Sequence, residues 1–234
     1  MTTNNLIQLD SAKLDNNGEF RFTISAVGSK FILLQVDKEN PSNIILIVSP
    51  NEKIEINGDA GNLTSSYDVS GSNDSRLIRD FNRKMNFTIS EKNKLAQTYR
   101  DSINSPNRDL ILADVQKKYN SLFLELKNYT YEFINNNHNS LAALWVLYQK
   151  IGPQEPILNA ETDYAYFARV DSSLSGAYPS NPSVQALNKH VTYIAESIKQ
   201  KENAKKVLAI GSIAPEIALP NPDGDTISLS SLRG

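Results

Sequence analysis

The stretch Tyr67-Asp-Val-Ser-Gly-Ser-Asn-Asp-Ser-Arg-Leu-Ile-Arg-Asp-Phe81 marks a change in the spacing of apolar residues along the chain. Before it, apolar side chains recur at every second position, as in strands; after it, they recur every three or four positions, as in helices. Ser72 or Asn73 can accept a hydrogen bond from the free backbone N–H groups at a helix start. The helix that follows then buries Leu77, Ile78 and Phe81. The sequence therefore predicts an α+β protein that changes from strands to helices here.

Residues 1–71 are predicted to form a small antiparallel β sandwich or barrel of six short strands. Phe20, Phe22 and Ile24 alternate with polar residues, as in a half-buried strand, and the preceding Asp15-Asn-Asn-Gly18 favours a hairpin turn. The other predicted strands are Leu6–Leu14, Phe31–Val36, Ile44–Val48, the stretch around Ile54 and Ile56, and Tyr67–Val69.

Residues 72–206 are predicted to be a helical region. The clearest helix runs from Asp109 to Phe133, because its apolar residues are spaced by three and four and so form one stripe. That stripe consists of Val115, Tyr119, Leu122, Leu126, Tyr129 and Phe133. Further helices are expected from Ser140 to Gly152-Pro153, over Glu161–Val170, and from the cap Ser180-Asn181-Pro182 to about Lys201. The last of these has Val184, Leu187, Val191, Ile194 and Ile198 on one face.

Composition argues against several classes of protein. The net charge is -2, and the one basic cluster, at the end of a predicted helix, is better explained as a solvated helix end than as a phosphate-binding patch. We therefore expect no nucleic acid as a partner. The longest apolar run, Ile44–Val48, is much shorter than a membrane-spanning helix. The basic cluster is made of Lys199, Lys201, Lys205 and Lys206.

The chain contains no cysteine, which excludes disulfides, thiolate metal sites and cysteine nucleophiles within it. His138 and His190 are the only histidines, and they lie far apart in the sequence, so structural or surface roles are expected for both. No catalytic, cofactor-binding or metal-ligating residue is predicted, and no cofactor is expected.

Three further patterns have a functional and a structural interpretation. Asn221, Asp223 and Asp225 resemble part of a calcium-binding loop, but they lack the distal glutamate, and Asp223-Gly224 is better read as a hairpin turn. Tyr164, Tyr166 and Phe167 could line a ligand groove, although core packing is the better interpretation. Asn62, Asn73, Asn86 and Asn128 begin Asn-x-Ser/Thr triplets, which arise by chance in a chain this rich in Asn and Ser.

The carboxyl-terminal stretch has a recognisable pattern. Gly211-Ser-Ile-Ala-Pro-Glu-Ile-Ala-Leu-Pro-Asn-Pro-Asp-Gly224-Asp-Thr-Ile-Ser-Leu-Ser-Ser-Leu-Arg-Gly234 resembles the opening of thioredoxin-like domains of the TlpA/ResA and peroxiredoxin group. Ile217 and Leu219 should face the same side as Ile227 and Leu229, so a β-hairpin is expected. The resemblance implies that residues 207–234 are the start of a thioredoxin-like domain whose W-C-x-x-C motif follows later, and that this tail is loosely held without its neighbouring strand.

The front of the chain resembles the β-rich domain of unknown function (DUF4369) that precedes TlpA-like domains in exported bacterial lipoproteins. The residues that carry this resemblance are Asp10–Phe22, Val48–Glu52, Ile56–Asp59 and Val69–Ser72. A helical region joins the two domains in those proteins, in the same order as here. The resemblance implies a periplasmic or outer-membrane-associated protein, with an export signal and a lipidated cysteine ahead of this point.

The two resemblances imply that the chain is the accessory front part of a thiol–disulfide oxidoreductase. Its partners would be thiol- or disulfide-bearing proteins, reached through the thioredoxin-like domain, and the chain itself is expected to have no disulfide reductase activity. A peroxiredoxin-like peroxidase with the same opening pattern and a stand-alone binding module for a glycan, a peptide or a protein remain as alternatives. The oligomeric state does not follow from the sequence.

Overall fold

The computed structural model describes residues 7–36, 42–207 and 215–232. Strands β1 (Lys30–Gln35) and β2 (Asn43–Val48) form an antiparallel ribbon in which Phe31 lies opposite Ile47. A second ribbon pairs β3 (Glu55–Asn57) with β4 (Asp68–Ser70). The link between β3 and β4 contains the short helix α1 (Leu63–Ser66).

The two ribbons pack against each other through a small apolar core. Ile44 and Leu46 of β2 and Val69 of β4 are buried in it, together with Leu63 and Tyr67. The other face of the first ribbon contacts the helices, because Phe31, Ile45 and Ile47 belong to the larger core. The β part is thus a minimal two-layer sandwich that lies against the helical region.

Two of the six predicted strands are not formed. Residues 7–29 contain no strand, so the expected strand around Phe20–Ile24 is absent, as is the described part of the one over Leu6–Leu14; Leu6 itself lies outside the described residues. The predicted turn is present, since Gly18 donates to the Asp15 carbonyl at 3.0 Å and has φ 78°. A period of two in the sequence places side chains alternately, but a strand also requires a hydrogen-bonded partner.

The helical region begins with two long antiparallel helices, α2 (Asn73–Asp101) and α3 (Arg108–Asn137). A short helix α4 (Leu141–Val146) follows, then α5 (Tyr164–Ala177) and α6 (Pro182–Val207). The predicted caps are confirmed: the Ser72 hydroxyl accepts from the Ser75 N–H, the Ser140 hydroxyl from Ala142, and the Asn181 amide oxygen from Ser183. The α+β class predicted from the sequence is confirmed.

The helix expected from Ser140 to Gly152-Pro153 is shorter than predicted. It ends at Val146, and the chain continues into a small antiparallel hairpin of β5 (Lys150–Gly152) and β6 (Glu155–Pro156). The Lys92 ammonium of α2 donates to the Ile151 carbonyl at 3.2 Å and also pairs with the Glu155 carboxylate. These contacts come from a distant part of the chain, so the local sequence could not reveal them.

The main core lies where α2 and α3 meet the later helices. Phe81 of α2 is its centre, with ring centroids of Phe133, Tyr129 and Trp145 at 5.3, 5.8 and 6.1 Å. The stripe predicted on α3 is confirmed: Leu126 and Phe133 are buried in this core, and Val115, Tyr119, Leu122 and Tyr129 are half-buried. The predicted stripe on α6 is confirmed, since Val184, Leu187, Val191 and Ile194 are buried and Ile198 is half-buried.

After α6, strands β7 (Ala218–Pro220) and β8 (Thr226–Ser228) form an antiparallel hairpin, which a 3-10 turn at Leu229–Leu232 follows. Among the residues that the structure describes, no helix is both long and apolar enough to cross a lipid bilayer.

Candidate functional site

The carboxyl-terminal hairpin is the candidate functional surface. Leu219 of β7 lies opposite Ile227 of β8, and the Leu229 N–H donates to the Ile217 carbonyl at 2.8 Å, so these residues lie on one face of a hairpin, as the sequence predicts. Three of its apolar side chains are exposed: Ile217 at 55%, Leu219 at 64% and Ile227 at 44%. Exposed apolar groups gathered on a hairpin are typical of a surface that packs against another layer.

The turn of this hairpin is built on Asn221. Its side-chain oxygen accepts from the N–H groups of Asp223 (3.0 Å) and Asp225 (2.8 Å), and its own carbonyl accepts from Gly224, which has φ 90°. The side-chain oxygen that a calcium loop would offer to a cation is therefore committed to the backbone. The interpretation of this stretch as a hairpin turn is confirmed.

Each of the two histidines forms a hydrogen bond with a different hydroxyl group, and the two histidines do not share a site. His138, at the end of α3, has its Nδ1 2.8 Å from the Ser173 hydroxyl of α5. His190 of α6 has its Nδ1 2.9 Å from the Tyr148 hydroxyl. Within residues 7–36, 42–207 and 215–232, no group of three or more His, Cys, Asp or Glu side chains is placed to hold a metal ion.

A buried polar cluster joins the start of α5 to α3. The Tyr131 hydroxyl donates to one carboxylate oxygen of Asp163 at 2.6 Å, and the Asn159 N–H donates to the other at 2.8 Å. The Lys127 ammonium lies 3.1 Å from the same carboxylate, whose side chain is only 6% exposed. Tyr166 stacks on Tyr131 with a centroid distance of 4.3 Å.

This cluster controls the ionisation of Asp163. Burial by itself raises the pKa of that carboxyl, but the hydrogen bonds from Tyr131 and Asn159 and the Lys127 charge outweigh it, so the pKa lies below its usual value of 3.8. Because the charges and donors balance within the cluster, it offers no free group to a substrate. No local pattern reveals it, since Tyr131 and Asp163 are far apart in the sequence.

The aromatic residues of α5 take part in packing. Phe167 is buried in the core, and Tyr164 and Tyr166 pack half-buried against it. The core interpretation of these three residues is thereby confirmed. Tyr148, which contacts Phe167 edge-on, has its pKa raised to about 12, first because it is buried and second because the Asp171 carboxylate is close.

The basic cluster at the end of α6 is exposed. Lys201 pairs with the Glu161 carboxylate at 2.6 Å, and the other three lysines lie on the same exposed turns of the helix. Cations in the last turn of a helix interact favourably with its carbonyl end. The predicted solvated helix end is confirmed. Of the four Asn-x-Ser/Thr positions, Asn62, Asn73 and Asn128 are exposed and Asn86 is half-buried.

Two shallow clefts lie on the outer half of the α2–α3 pair. One, of about 620 Å³, lies near the tip, and the other, of about 430 Å³, lies along α3. Both clefts are open to solvent. Ser102 is the one buried polar residue that lines them, and its hydroxyl already donates to the Tyr99 carbonyl at 2.8 Å. They are surface grooves of a two-helix hairpin and not enclosed ligand sites.

Comparison with known proteins finds one similarity, at the front of the chain. The family described as a domain of unknown function (DUF4369) matches residues 1–78. No curated protein and no solved structure matches the chain. The matched range contains both β ribbons and ends in the first turns of α2. Residues 1–78 therefore match the DUF4369 domain, in agreement with the resemblance found at residues 10–72.

Proposed function

We propose that this chain is the accessory front module of a thiol–disulfide oxidoreductase of the TlpA/ResA type. In this proposal the DUF4369 domain and the helices position a thioredoxin-like domain that opens with the hairpin β7–β8. One observation supports it most: residues 217–229, chosen from their resemblance to that opening, form the expected hairpin with the four apolar residues paired across it, Leu219 with Ile227 and Ile217 with Leu229.

The exposure of the hairpin supports the same proposal. Leu219 and Ile227 lie opposite each other, and both are exposed, so the hairpin has an apolar face without a covering layer in the part of the chain that the structure describes. In a thioredoxin-like domain this face would pack on the rest of that domain. Burying each of these side chains would stabilise the contact by roughly 1.5–3 kcal/mol.

The chemistry would belong to the thioredoxin-like domain and not to residues 1–234. A cysteine thiolate of that domain would attack a disulfide of a partner protein, form a mixed disulfide and release one partner thiolate. Its second cysteine would then displace the other partner thiolate, so that two electrons pass to the partner. Because residues 1–234 contain no cysteine, their role in this proposal is positioning alone. The proposal places the protein in the periplasm or at the outer membrane.

The coding sequence of the native gene tests the assignment. We expect it to continue past Gly234 into a strand and a W-C-x-x-C motif, and we expect the complete product, but not residues 1–234, to reduce insulin. A P-x-x-T/S-x-x-C motif together with peroxide turnover would contradict the proposal and indicate a peroxidase. A stop codon directly after Gly234 would contradict the proposal and favour a binding module.

A pair of substitutions in the complete product tests the role of the hairpin. We expect Ile227→Ser to lower the unfolding temperature of the thioredoxin-like domain in calorimetry and to leave the transition of the front module unchanged. The matched control is Leu110→Ser on α3, which is 74% exposed and lies away from the hairpin. Equal effects of the two substitutions would contradict the role of the hairpin.

A further inference from the structure

The two β ribbons have only a small core of their own. Each ribbon has two strands, and among the described residues the ribbons share five buried apolar side chains. A two-stranded ribbon is marginally stable in water unless further strands or a helix pack against it. We propose that the β part (residues 30–70) and the helices around the main core fold and unfold as one cooperative unit. The range that matches DUF4369, residues 1–78, is then not an independent domain of this chain, and its partner is the chain's own helical region.

One face of the first ribbon belongs to the main core. Ile47 of β2 is completely buried there, and Phe31 and Ile45 pack against the same core. The other buried members of this core come from each of the helices α2 to α6, among them Phe81 of α2 and Leu174 of α5. A chain cut after residue 78 would keep only the first turns of α2 and would therefore expose this face of the ribbon to water.

The first turns of α2 contact both ribbons. The Ser75 hydroxyl bonds to the N–H and the carbonyl of Ile47 in β2, at 2.9 and 2.8 Å. Further along the helix, the Arg83 guanidinium donates to the Tyr67 carbonyl, next to β4, at 3.3 Å. Ile78, which lies between these two contacts, is completely buried. The start of α2 therefore stabilises the first and the second ribbon together.

The last helix is joined to the beginning of β1. The Asn181 side-chain amide donates to the Ser29 carbonyl at 2.8 Å, and its side-chain oxygen accepts from the Ser183 N–H at 2.9 Å. Asn181 thus caps α6 and at the same time holds the residue before β1. The Ser29 hydroxyl also lies 2.8 Å from the Ser49 hydroxyl after β2. The first ribbon is thus attached to the start of α6 as well as to the start of α2.

Opening either part would disrupt the other. If the β part opened alone, Ile47 would leave the main core and the start of α2 would lose its partners on β2. If the helices opened alone, the outer face of the first ribbon would be exposed and the Ile47 N–H would lose the Ser75 hydroxyl. Each partial opening therefore exposes core residues of both parts, so we expect both parts to open with the same free energy.

Hydrogen exchange of the intact chain tests this coupling with one substitution on each side. Val69 is buried in the core between the ribbons, and Leu174 is buried in the main core. We expect Val69→Ala to speed up exchange of the slowest backbone N–H groups of α5 and α6 by the same factor as those of β2, at least about tenfold, because these groups exchange only when the whole unit unfolds. Leu174→Ala should likewise affect β2 as much as it affects α5.

The matched control is Val27→Ala, which makes the same change at a fully exposed side chain before β1. It should change the exchange rates by less than about twofold in both parts. Faster exchange that is confined to the β part in Val69→Ala, or to the helices in Leu174→Ala, would overturn the proposal, since the two parts would then open independently.

Calorimetry of the unmodified chain gives an independent measurement that does not require either variant to fold. We expect one heat-absorption peak whose calorimetric enthalpy equals its van't Hoff enthalpy. Two resolved peaks, one for the β part and one for the helices, would overturn the proposal. Neither measurement involves a thioredoxin-like domain, so a failure here is distinguishable from a failure of the proposed redox function.

Discussion

Gly71 occupies a position that requires a residue without a side chain. Its φ is 81°, and a Cβ at this position would lie 1.8 Å from the Lys53 carbonyl oxygen. The close approach lets the chain leave β4 and enter α2 directly beneath the segment before β3. Glycine adopts this left-handed conformation without the steric cost that other residues meet.

We therefore expect Gly71→Ala to lower the free energy of unfolding by roughly 2–5 kcal/mol, from backbone strain together with the clash. Urea denaturation measures this. The control is Gly176→Ala in α5, where the added Cβ has no atom within 4 Å apart from the helix's own backbone and the two adjoining residues. That substitution should be neutral or should stabilise the protein by about 0.5–1 kcal/mol. Similar losses for both variants would contradict the role of Gly71.

The lowered pKa of Asp163 predicts how the stability of the protein depends on pH. Its pKa is lower in the folded chain than its usual value of 3.8, so its stabilising effect is fully present above that value and is lost as the pH falls below it. We expect Asp163→Asn to cost roughly 1–3 kcal/mol at pH 7, because Lys127 and Tyr131 lose their charged partner. The difference from the unmodified protein should shrink below about pH 4.

Urea unfolding at several pH values between 3 and 7 checks this prediction. The exposed Asp225→Asn serves as its control, since its side chain lies outside the cluster. A stability difference that stays constant over the whole range would show that the charge of Asp163 does not carry the effect.

At the scale of elements, the contact between α2 and β2 joins the β part to the helices. β2 has β1 on one side, and on the other side the first turn of α2 replaces a neighbouring strand. The hydroxyl groups of Ser72 and Ser75 both donate to the Ile47 carbonyl, at 3.0 and 2.8 Å, and Ser75 also accepts from the Ile47 N–H. The serine side chains at the start of α2 thus also form the hydrogen bonds that hold the edge of β2.

Ser75 is fully buried, so removing its hydroxyl leaves the Ile47 N–H without a partner away from water. We expect Ser75→Ala to destabilise the protein by roughly 1–3 kcal/mol in thermal or urea unfolding. Ser65→Ala in α1, where the serine is exposed, should change stability by less than about 0.5 kcal/mol. If the two substitutions were equivalent, the serine contact would not hold β2 to α2.

At the scale of the whole molecule, burial is concentrated at one end of the α2–α3 pair. Leu126 and Phe133 in the second half of α3 are buried, whereas Leu110 in its first turn is 74% exposed. In the first half of the helix the apolar residues Val115 and Tyr119 are only half-buried, and the fully buried residues lie in the second half. Elements with few buried apolar contacts open with a lower free energy than the core does.

Two leucines of the same helix test this distribution. We expect Leu126→Ala to cost roughly 2–5 kcal/mol, since it leaves a cavity in the core. Leu110→Ala should stay within about 0.5 kcal/mol of the unmodified protein. Chemical denaturation of both variants provides the comparison, and a loss of more than about 1.5 kcal/mol for Leu110→Ala would imply that a partner covers the outer half of α3.

Local sequence alone determined the features that depend on near neighbours. The caps at Ser72, Ser140 and Asn181, the apolar stripe of α6 and the turn at Asn221 all follow from side chains within a few residues of each other. Helix periodicity and turn chemistry are local interactions, so one sequence window contains the information needed to predict them.

Tertiary structure decided the features that join distant segments. The hairpin β5–β6 after α4 is held by Lys92 of α2 at the Ile151 carbonyl, and Asp163 is charged and buried because Tyr131 and Lys127 come to it from another helix. Which predicted strands pair was decided in the same way, since a period of two does not name a partner. Such contacts depend on how the whole chain packs, and no spacing within a single stretch encodes them.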